Sequence, residues 1–243
     1  MGFLKRARNI LRYGLGPKAR ERKRTDKRVA KAARFASERW TKEGDFARRR
    51  YESYDEYVQH QVSKLAGVAD RLRETEERDF DQFLARFSAC RPLAEMRNVL
   101  CLGARLGTEV RALHRLGHFA VGIDLNPGDE NPYVLPGDFH GLVFPDGSVD
   151  AVFTNALDHV FDLERMIGET QRVLRPGGIL LAEFELGFGE GHVPGDFEAT
   201  HWKHADVLVE QIRRIGNFAV EEVVDLGKTR RGQRRQVVFR KPA

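Results

Sequence analysis

Three points along the chain carry residue types suited to holding a nucleoside. The first is the stretch "VLCLGARLG", residues 99–107, an apolar run closed by Gly103 and Gly107 in G-x-x-x-G spacing. A glycine turn between a strand and a helix lets backbone amides approach a ligand closely. A dinucleotide fold needs G-x-G-x-x-G so that the backbone can reach a pyrophosphate. Arg105 stands where the middle glycine is required, which argues against a nicotinamide or flavin dinucleotide. The second point is Asp124, which ends "AVGID". A carboxylate there can accept both hydroxyl protons of a ribose, or it can close an Asx turn ahead of "NPG". The third is "GDFH", where Asp138 could accept the amino group of adenine while Phe139 covers a ring face. Two acids at successive strand ends behind a glycine loop suit an adenosyl ligand that lacks a pyrophosphate.

Those residues need a scaffold of alternating strands and helices. The pattern predicts a strand over 98–103, a helix over 107–116 and a second strand over 119–124. "YVLPGDF" gives a short third strand, and "PDGSVDAVFTN" a turn and a fourth. A helix over 162–174 stops at "RPGG", a fifth strand covers 178–186, and a helix follows over 202–216. "FAVEEVVDLG" and "RRQVVFRK" make two closing strands. Repeated β-α-β units imply an α/β fold, a Rossmann-like seven-stranded mostly parallel sheet with helices on both faces. Ligands then bind beyond the carboxyl ends of the strands. This domain is expected over 93–243, behind a helical extension or lid over 46–92. In that extension Tyr51, Tyr54, Tyr57 and Val58, then Phe80, Phe83, Leu84 and Phe87, recur at helical spacing. They read as packing residues that dock the helices, or as part of a lid over a substrate.

The net charge of +5 conceals an asymmetry: residues 1–50 hold 18 Lys/Arg against 5 Asp/Glu, and the rest of the chain is net acidic. Residues 1–45 are therefore read as a basic leader, partly helical or flexible, beginning with a short cationic amphipathic helix over 3–12, "FLKRARNILR". Such a segment is either a solvated arm or a contact for an anionic surface, membrane head groups or RNA. No apolar run is long enough to span a bilayer, and neither a secretory signal nor a myristoylation motif is evident, which places the expected location in the cytoplasm, with peripheral membrane contact through the leader. Two cysteines, Cys90 and Cys101, exclude a disulfide framework and a cysteine-rich zinc site. The scattered histidines have no metal-ligand spacing, so no metal is expected.

With "VLCLGARLG", "AVGIDLNP", "GDFHGLVFPDGSVDAVFTN" and "ALDHVFDLERMIGETQRVLRPGGILLAEFE" in this order, the chain resembles the class I S-adenosylmethionine-dependent methyltransferases, in the subgroup often called type 11. The resemblance covers roughly residues 97–187 well and the last fifty weakly. It implies S-adenosyl-L-methionine as cofactor, with Gly103, Ala104, Arg105 and Gly107 beside its methionine portion. It implies Asp124 on the ribose hydroxyls, Leu125 packed beside adenine, and Asp138 and Phe139 on the base. Asn155 would lie near the amino-acid end or the reacting methyl. Two positions depart from the family: Cys101 replaces a usual acid that helps anchor the methionine ammonium, and Arg105 replaces a usual glycine. Arg105 could pair with the methionine carboxylate or obstruct the pocket.

Methyl transfer is a direct displacement in which positioning carries most of the work. A hydroxyl acceptor also needs a general base. Asp158 and His159, just beyond the fourth strand, and His201, with His204 near it in "THWKHAD", are the candidates; the same Asp-His pair could instead cap the next helix. The absence of an Asn/Asp-Pro-Pro-aromatic segment after the fourth strand ("NALD" stands there) argues against amino-group methylation of nucleic acid. The expected activity is O-methylation of a small molecule or glycan. The competing readings are an RNA methyltransferase that uses the basic leader and a non-catalytic binding or scaffold protein that keeps the fold.

Overall fold

The computed structural model describes residues 17–228 and 232–243. The amphipathic segment expected over 3–12 lies outside the described residues.

The sheet is built from apolar runs buried on both faces, the pattern of parallel strands covered by helices. In β3 (Asn98–Leu102) Val99 and Cys101 point to one face and Leu100 and Leu102 to the other, and all four are buried. The neighbouring strands are β4 (Phe119–Asp124), β5 (Val134–Pro136), β6 (Val149–Thr154) and β7 (Leu174–Glu185), closed by β9 (Ala219–Lys228) and β10 (Gln233–Arg240). Their spatial order is β5-β4-β3-β6-β7-β10-β9. The first five run parallel, and β10 lies antiparallel between β7 and β9. This is the seven-stranded, mostly parallel sheet expected from the sequence. Strand order reverses at β3, which is flanked by β4 on one side and β6 on the other, so the crevice at their carboxyl ends is where a ligand belongs.

Each face has its own core. On one, α3 (Thr108–Arg115) contributes Val110, Ala112 and Leu113, and Phe83 and Phe87 of α2 (Tyr54–Ala89) pack on Phe153. On the other, Met166 and Ile167 of α4 (Leu163–Val173) meet Leu208 and Ile212 of α5 (Ala205–Gly216). α2 is one continuous helix of 36 residues, about 54 Å at 1.5 Å per residue. Ser53 caps it by accepting from the Glu56 amide, with Asp55 and Glu56 in its first turn. Its aromatic residues divide between two tasks: Phe83 and Phe87 dock on the sheet, whereas Tyr54 and Tyr57 lie over the crevice side, against His140 and Phe161.

The expectation of helix from residue 46 needs correction. After α1 (Pro17–Phe35) the chain forms a hairpin, β1 (Trp40–Glu43) and β2 (Phe46–Arg49), joined by a two-residue turn with Gly44 at φ +59°. β2 then pairs antiparallel with β8 (Thr200–Trp202) to make a separate three-stranded sheet. The division expected at 45/46 therefore falls inside a hairpin. The helical reading of "FARRR" missed a partner strand some 150 residues away. The end of α1 joins this unit through Phe35, which packs edge-on to Trp40.

Candidate functional site

The glycine loop after β3 is held by main-chain bonds that account for its composition. Gly103 and Ala104 donate to the Ile123 carbonyl at 2.9 and 3.0 Å, and Gly107 donates to Ala104 at 2.8 Å. Gly103 sits at φ +72°, and a Cβ there would lie 2.6 Å from Ala156 Cβ. Gly107, at φ +77°, would meet Tyr133 Cβ at 2.7 Å. Both positions therefore exclude side chains on conformation and on space. Arg105 also lies in the left-handed region, at φ +47°, which explains why a glycine is at home in this position.

Asp124 ends β4 and closes the turn that follows it, the second of the two readings considered for it. Its Oδ2 accepts from the Arg105 amide at 3.1 Å and its Oδ1 from the Asn126 amide at 2.9 Å, an Asx turn. The same carboxylate lines a cavity of about 360 Å³, part of it open to solvent. Burial lifts the Asp124 carboxyl above its ordinary range, against the opposing pull of the Asn126 amide and the Arg105 charge. Gly103, Arg105, Leu125, Phe139 and His159 share the cavity wall with Asp124. Ala104 and Gly107 are behind it: Ala104 is buried against Gly122, whose absent Cβ makes room.

Three residues from the sequence reading are placed differently. Asp138 does not line the cavity, because its oxygens are engaged elsewhere. Oδ2 accepts from the Tyr54 hydroxyl, and Oδ1 accepts from the His140 amide at 2.8 Å and from His140 Nδ1 at 2.9 Å. The Asp162 amide donates to His140 Nε2, which puts the imidazole proton on Nδ1, toward Asp138. Burial raises the Asp138 carboxyl, but the His140 and Tyr54 hydrogen bonds outweigh it and hold the group at about 2. Asn155 is half-buried, and its neighbour Ala156 faces the cavity in its place. His201 lies in β8, buried among Phe35, Phe188, His192 and Trp202, outside the cavity wall. Among the described residues neither of its ring nitrogens has a hydrogen-bond partner, and burial lowers its pKa to about 3. His201 is a packing residue of the small sheet.

His159 is the histidine on the cavity wall, in the single turn Leu157–His159 after β6. The helix-capping alternative falls to Asp162, which accepts from the Arg165 amide at the start of α4. His159 Nδ1 donates to the Phe197 carbonyl at 2.8 Å, and its Nε2 faces Lys64 Nζ at 2.5 Å. Burial first, and the Lys64 charge second, hold the imidazole well below its ordinary pKa, so it is neutral. Asp158 is buried beside it, with Oδ1 3.6 Å from His159 Nε2.

Gln61 and Lys64 were not singled out from the sequence, and Tyr57 was read there as a packing residue or part of a lid over a substrate. All project from one stripe of α2, which begins at Tyr54. Spacings of three and four residues were the available signal for the other two. Tyr57 and Gln61 line the cavity, and Gln61 donates to the Phe197 carbonyl at 2.8 Å. The Tyr57 side chain is fully buried, and its hydroxyl has no hydrogen-bond partner among the described residues.

Comparison with known proteins places this architecture. Residues 100–182 match the family model described as "Methyltransferase domain". The matching stretch, about a third of the chain, runs from β3 into β7 and contains the glycine loop, Asp124 and His159. A curated relative, malonyl-[acyl-carrier protein] O-methyltransferase 1 from Coxiella burnetii, is 33% identical over 113 residues. The match spans 39% of this chain and 40% of that protein, so the chain spans less than half the length of the curated relative it matches. Two solved structures share the fold. One is the Burkholderia thailandensis 1,6-didemethyltoxoflavin-N1-methyltransferase with bound 1,6-didemethyltoxoflavin and S-adenosylhomocysteine, at TM-score 0.63 and 15% identity, covering 84% of this chain and 98% of that one. The other is the complex between the Haloferax volcanii Trm112 methyltransferase activator and its methyltransferase, at TM-score 0.58 and 21% identity, covering 75% and 98%.

Proposed function

We propose that this chain is an S-adenosyl-L-methionine-dependent O-methyltransferase acting on a small molecule or glycan. The observation that carries the proposal is the cavity at the carboxyl ends of β3, β4 and β6, where Gly103 has no room for a side chain, Asp124 presents a half-buried carboxylate and Tyr57 a buried hydroxyl with no partner among the described residues. A buried hydroxyl without a partner costs about 1–3 kcal/mol, so a polar ligand satisfies it. The residues suit the cofactor: Asp124 to receive the ribose hydroxyls, Leu125 and Phe139 to flank adenine, and Arg105 to pair with the methionine carboxylate. When bound, the cofactor supplies a methyl group activated by a sulfonium. The protein's contribution is then to hold an acceptor in line with that methyl and exclude water.

Cys101 is fully buried in β3, where burial pushes its thiol up, so it serves as a small apolar residue. The oxygen acceptor is supported by the name of the curated relative, an O-methyltransferase. Titration calorimetry of wild type and an Asp124→Ala variant with S-adenosyl-L-methionine tests the proposal. Saturable binding that the substitution weakens supports it, and absence of binding to the wild type refutes it in favour of a scaffold role. The cationic sequence of helix α1, in which Arg22 and Arg34 are exposed, supports a second partner, an anionic surface of membrane head groups or RNA. Salt-dependent retention on anionic vesicles and on RNA, before and after Arg22→Gln and Lys31→Gln, tests that contact. Among the described residues no helix is long and apolar enough to cross a membrane.

A further inference from the structure

We propose that residues 54–66, the amino-terminal turns of α2, form a gate over the cavity, latched by Tyr54 on Asp138, hinged at Gly67 and opened to admit the ligands. What enters rests on the methyltransferase reading; how it enters rests on the packing of α2. The cavity of about 360 Å³ lies near the lower end of the roughly 300–1,000 Å³ that suits one small ligand. Methyl transfer needs a cofactor and an acceptor side by side. One wall must therefore move. The glycine loop is not free to do so, because Gly103 and Ala104 are bonded to Ile123 and Gly103 already abuts Ala156. The opposite wall is Tyr57 and Gln61 of α2.

α2 is held differently at its two ends. Its buried residues are Tyr57 and Lys64 near the amino end and Phe83 and Phe87 near the carboxyl end; residues 65–82 between them contain none. Phe83 and Phe87 stack on each other and meet Phe153 edge-on, which anchors the carboxyl end in the core of the sheet. Beyond the aromatic contacts of Tyr54 and Tyr57, the amino end is fastened by single polar contacts to four separate segments of the crevice rim. Tyr54 donates to Asp138 Oδ2, Gln61 donates to the Phe197 carbonyl, the Val62 carbonyl accepts from Asn126 Nδ2, and Lys64 Nζ meets His159 Nε2. Such an attachment opens locally while a packed core stays closed. The Tyr54 bond is the latch: it lies at the first residue of the helix, and its acceptor is a carboxylate whose other oxygen is fixed by His140. Gly67 stands in the stretch without buried residues. Glycine is a poor helix former, and nothing demands it here, since a Cβ would meet no atom within 4 Å. It leaves the helix weakest where the gate must bend. At the other end residues 50–53, outside any helix or strand, join the gate to β2 and supply a second joint.

The test uses the full chain. Lys64 is 6% exposed and reports the gate, because an amine-reactive succinimidyl ester reaches its ammonium only when the gate is open. Exposed Lys203 is the internal standard. Without ligand, Lys64 should be labelled much more slowly than Lys203. Tyr54→Phe should speed its labelling about tenfold, as loss of a charge-assisted hydrogen bond does, and Gly67→Ala should slow it about fivefold, the difference in helix propensity. Surface plasmon resonance with S-adenosylhomocysteine then reads the gate as a rate. Association and dissociation should both quicken in Tyr54→Phe and both slow in Gly67→Ala. The latch closes over the empty and the filled cavity alike, so the dissociation constant should change by less than about threefold. Circular dichroism checks that both variants fold, and Gly67→Ala carries the test if Tyr54→Phe does not. Labelling of wild-type Lys64 as fast as Lys203, equal labelling in all the folded proteins, or a changed affinity with unaltered association rates would each overturn the gate. Absence of S-adenosylhomocysteine binding would overturn the methyltransferase reading instead, and the labelling rates would still decide the gate.

Discussion

The Arg105 amide donates to Asp124 Oδ2 while Asp124 Oδ1 accepts from Asn126, so one carboxylate ties the glycine loop after β3 to the turn after β4. Asp124 therefore shapes the crevice as well as lining it. Asp124→Ala should lower S-adenosyl-L-methionine affinity by roughly a hundredfold, the loss of two charge-assisted hydrogen bonds of about 1.5 kcal/mol each. Asp124→Asn, which keeps one acceptor oxygen, should fall between. Calorimetry of the two variants checks this, and equal affinity in all three proteins would reduce Asp124 to a turn residue.

Arg105 holds a backbone conformation that costs a side-chain-bearing residue about 1 kcal/mol. Arg105→Gly should thus raise the melting temperature by about 2–4 °C, while cofactor affinity falls about tenfold because the guanidinium on the cavity wall is gone. Differential scanning calorimetry beside ligand titration gives both values. A rise in affinity would identify Arg105 as an obstruction.

Tyr57 should show opposite effects on stability and binding. In Tyr57→Phe the unpartnered hydroxyl disappears, so the ligand-free protein should gain about 1 kcal/mol or more. The ligand-bound protein should lose a hydrogen bond, so affinity falls several-fold. Denaturant melts with and without cofactor and acceptor resolve the two signs. A variant weaker in both states would show that the hydroxyl supports the fold.

His201 makes a pH prediction. Its folded-state pKa of about 3 lies below the ordinary 6.5 because burial opposes the charged form. The unfolded chain takes up the proton first as pH falls. The neutral ring's contribution is therefore complete above about pH 6.5 and is lost progressively as pH falls toward 3. His201→Phe keeps the aromatic contacts and removes two unpartnered nitrogens, so it should be more stable than wild type, by a margin that widens from pH 7 to 4. Its methyl-transfer rate should stay near wild type; a large loss would return His201 to the active site.

Glu109, in the first turn of α3, has the opposite dependence. Burial raises its carboxyl from 4.5 to about 8, so the folded state keeps a proton that the unfolded chain releases. Stability from this group is full below pH 4.5 and declines as pH rises through 8, by up to about 1.4 kcal/mol per pH unit. Glu109→Gln should flatten that slope and leave the protein more stable at pH 8. Chemical denaturation at four or five pH values between 5 and 9 suffices. A parallel slope in the variant would assign the dependence to another group.

The parallel sheet was legible because its strands are short apolar runs set off by glycines, and the crevice because Gly103 follows one strand end and Asp124 forms the next. The Asx turn of Asp124 was legible in the acid that stands before "NPG". The partners of Asp138 were invisible in one dimension: the groups that claim its oxygens include Tyr54, 84 residues earlier in the chain. Lys64 was unreadable on the same ground, being one lysine on a charged helix until His159, 95 residues later, is set against it. The hairpin at 40–49 was missed because its pairing with β8 leaves no local periodicity. His201 was overvalued because a histidine near a conspicuous motif reads as chemistry until its burial is known.

The pairing of β2 with β8, which sets Phe46 opposite Trp202 and Ala47 opposite His201, has a consequence for the order of assembly. The crevice around Gly103 and Asp124 is made by neighbouring β-α-β units whose contacts close over short loops, which form early. The three-stranded sheet must close a loop of some 150 residues, an entropic cost met only after the rest is in place. Arg49 of β2 also grips the Gly195 and Glu198 carbonyls on either side of Phe197, whose own carbonyl holds His159 and Gln61. During synthesis, then, the part of the crevice around Gly103 and Asp124 can form while the wall around His159 still waits for residue 202 to emerge, so the two sides of one cavity are completed at different times.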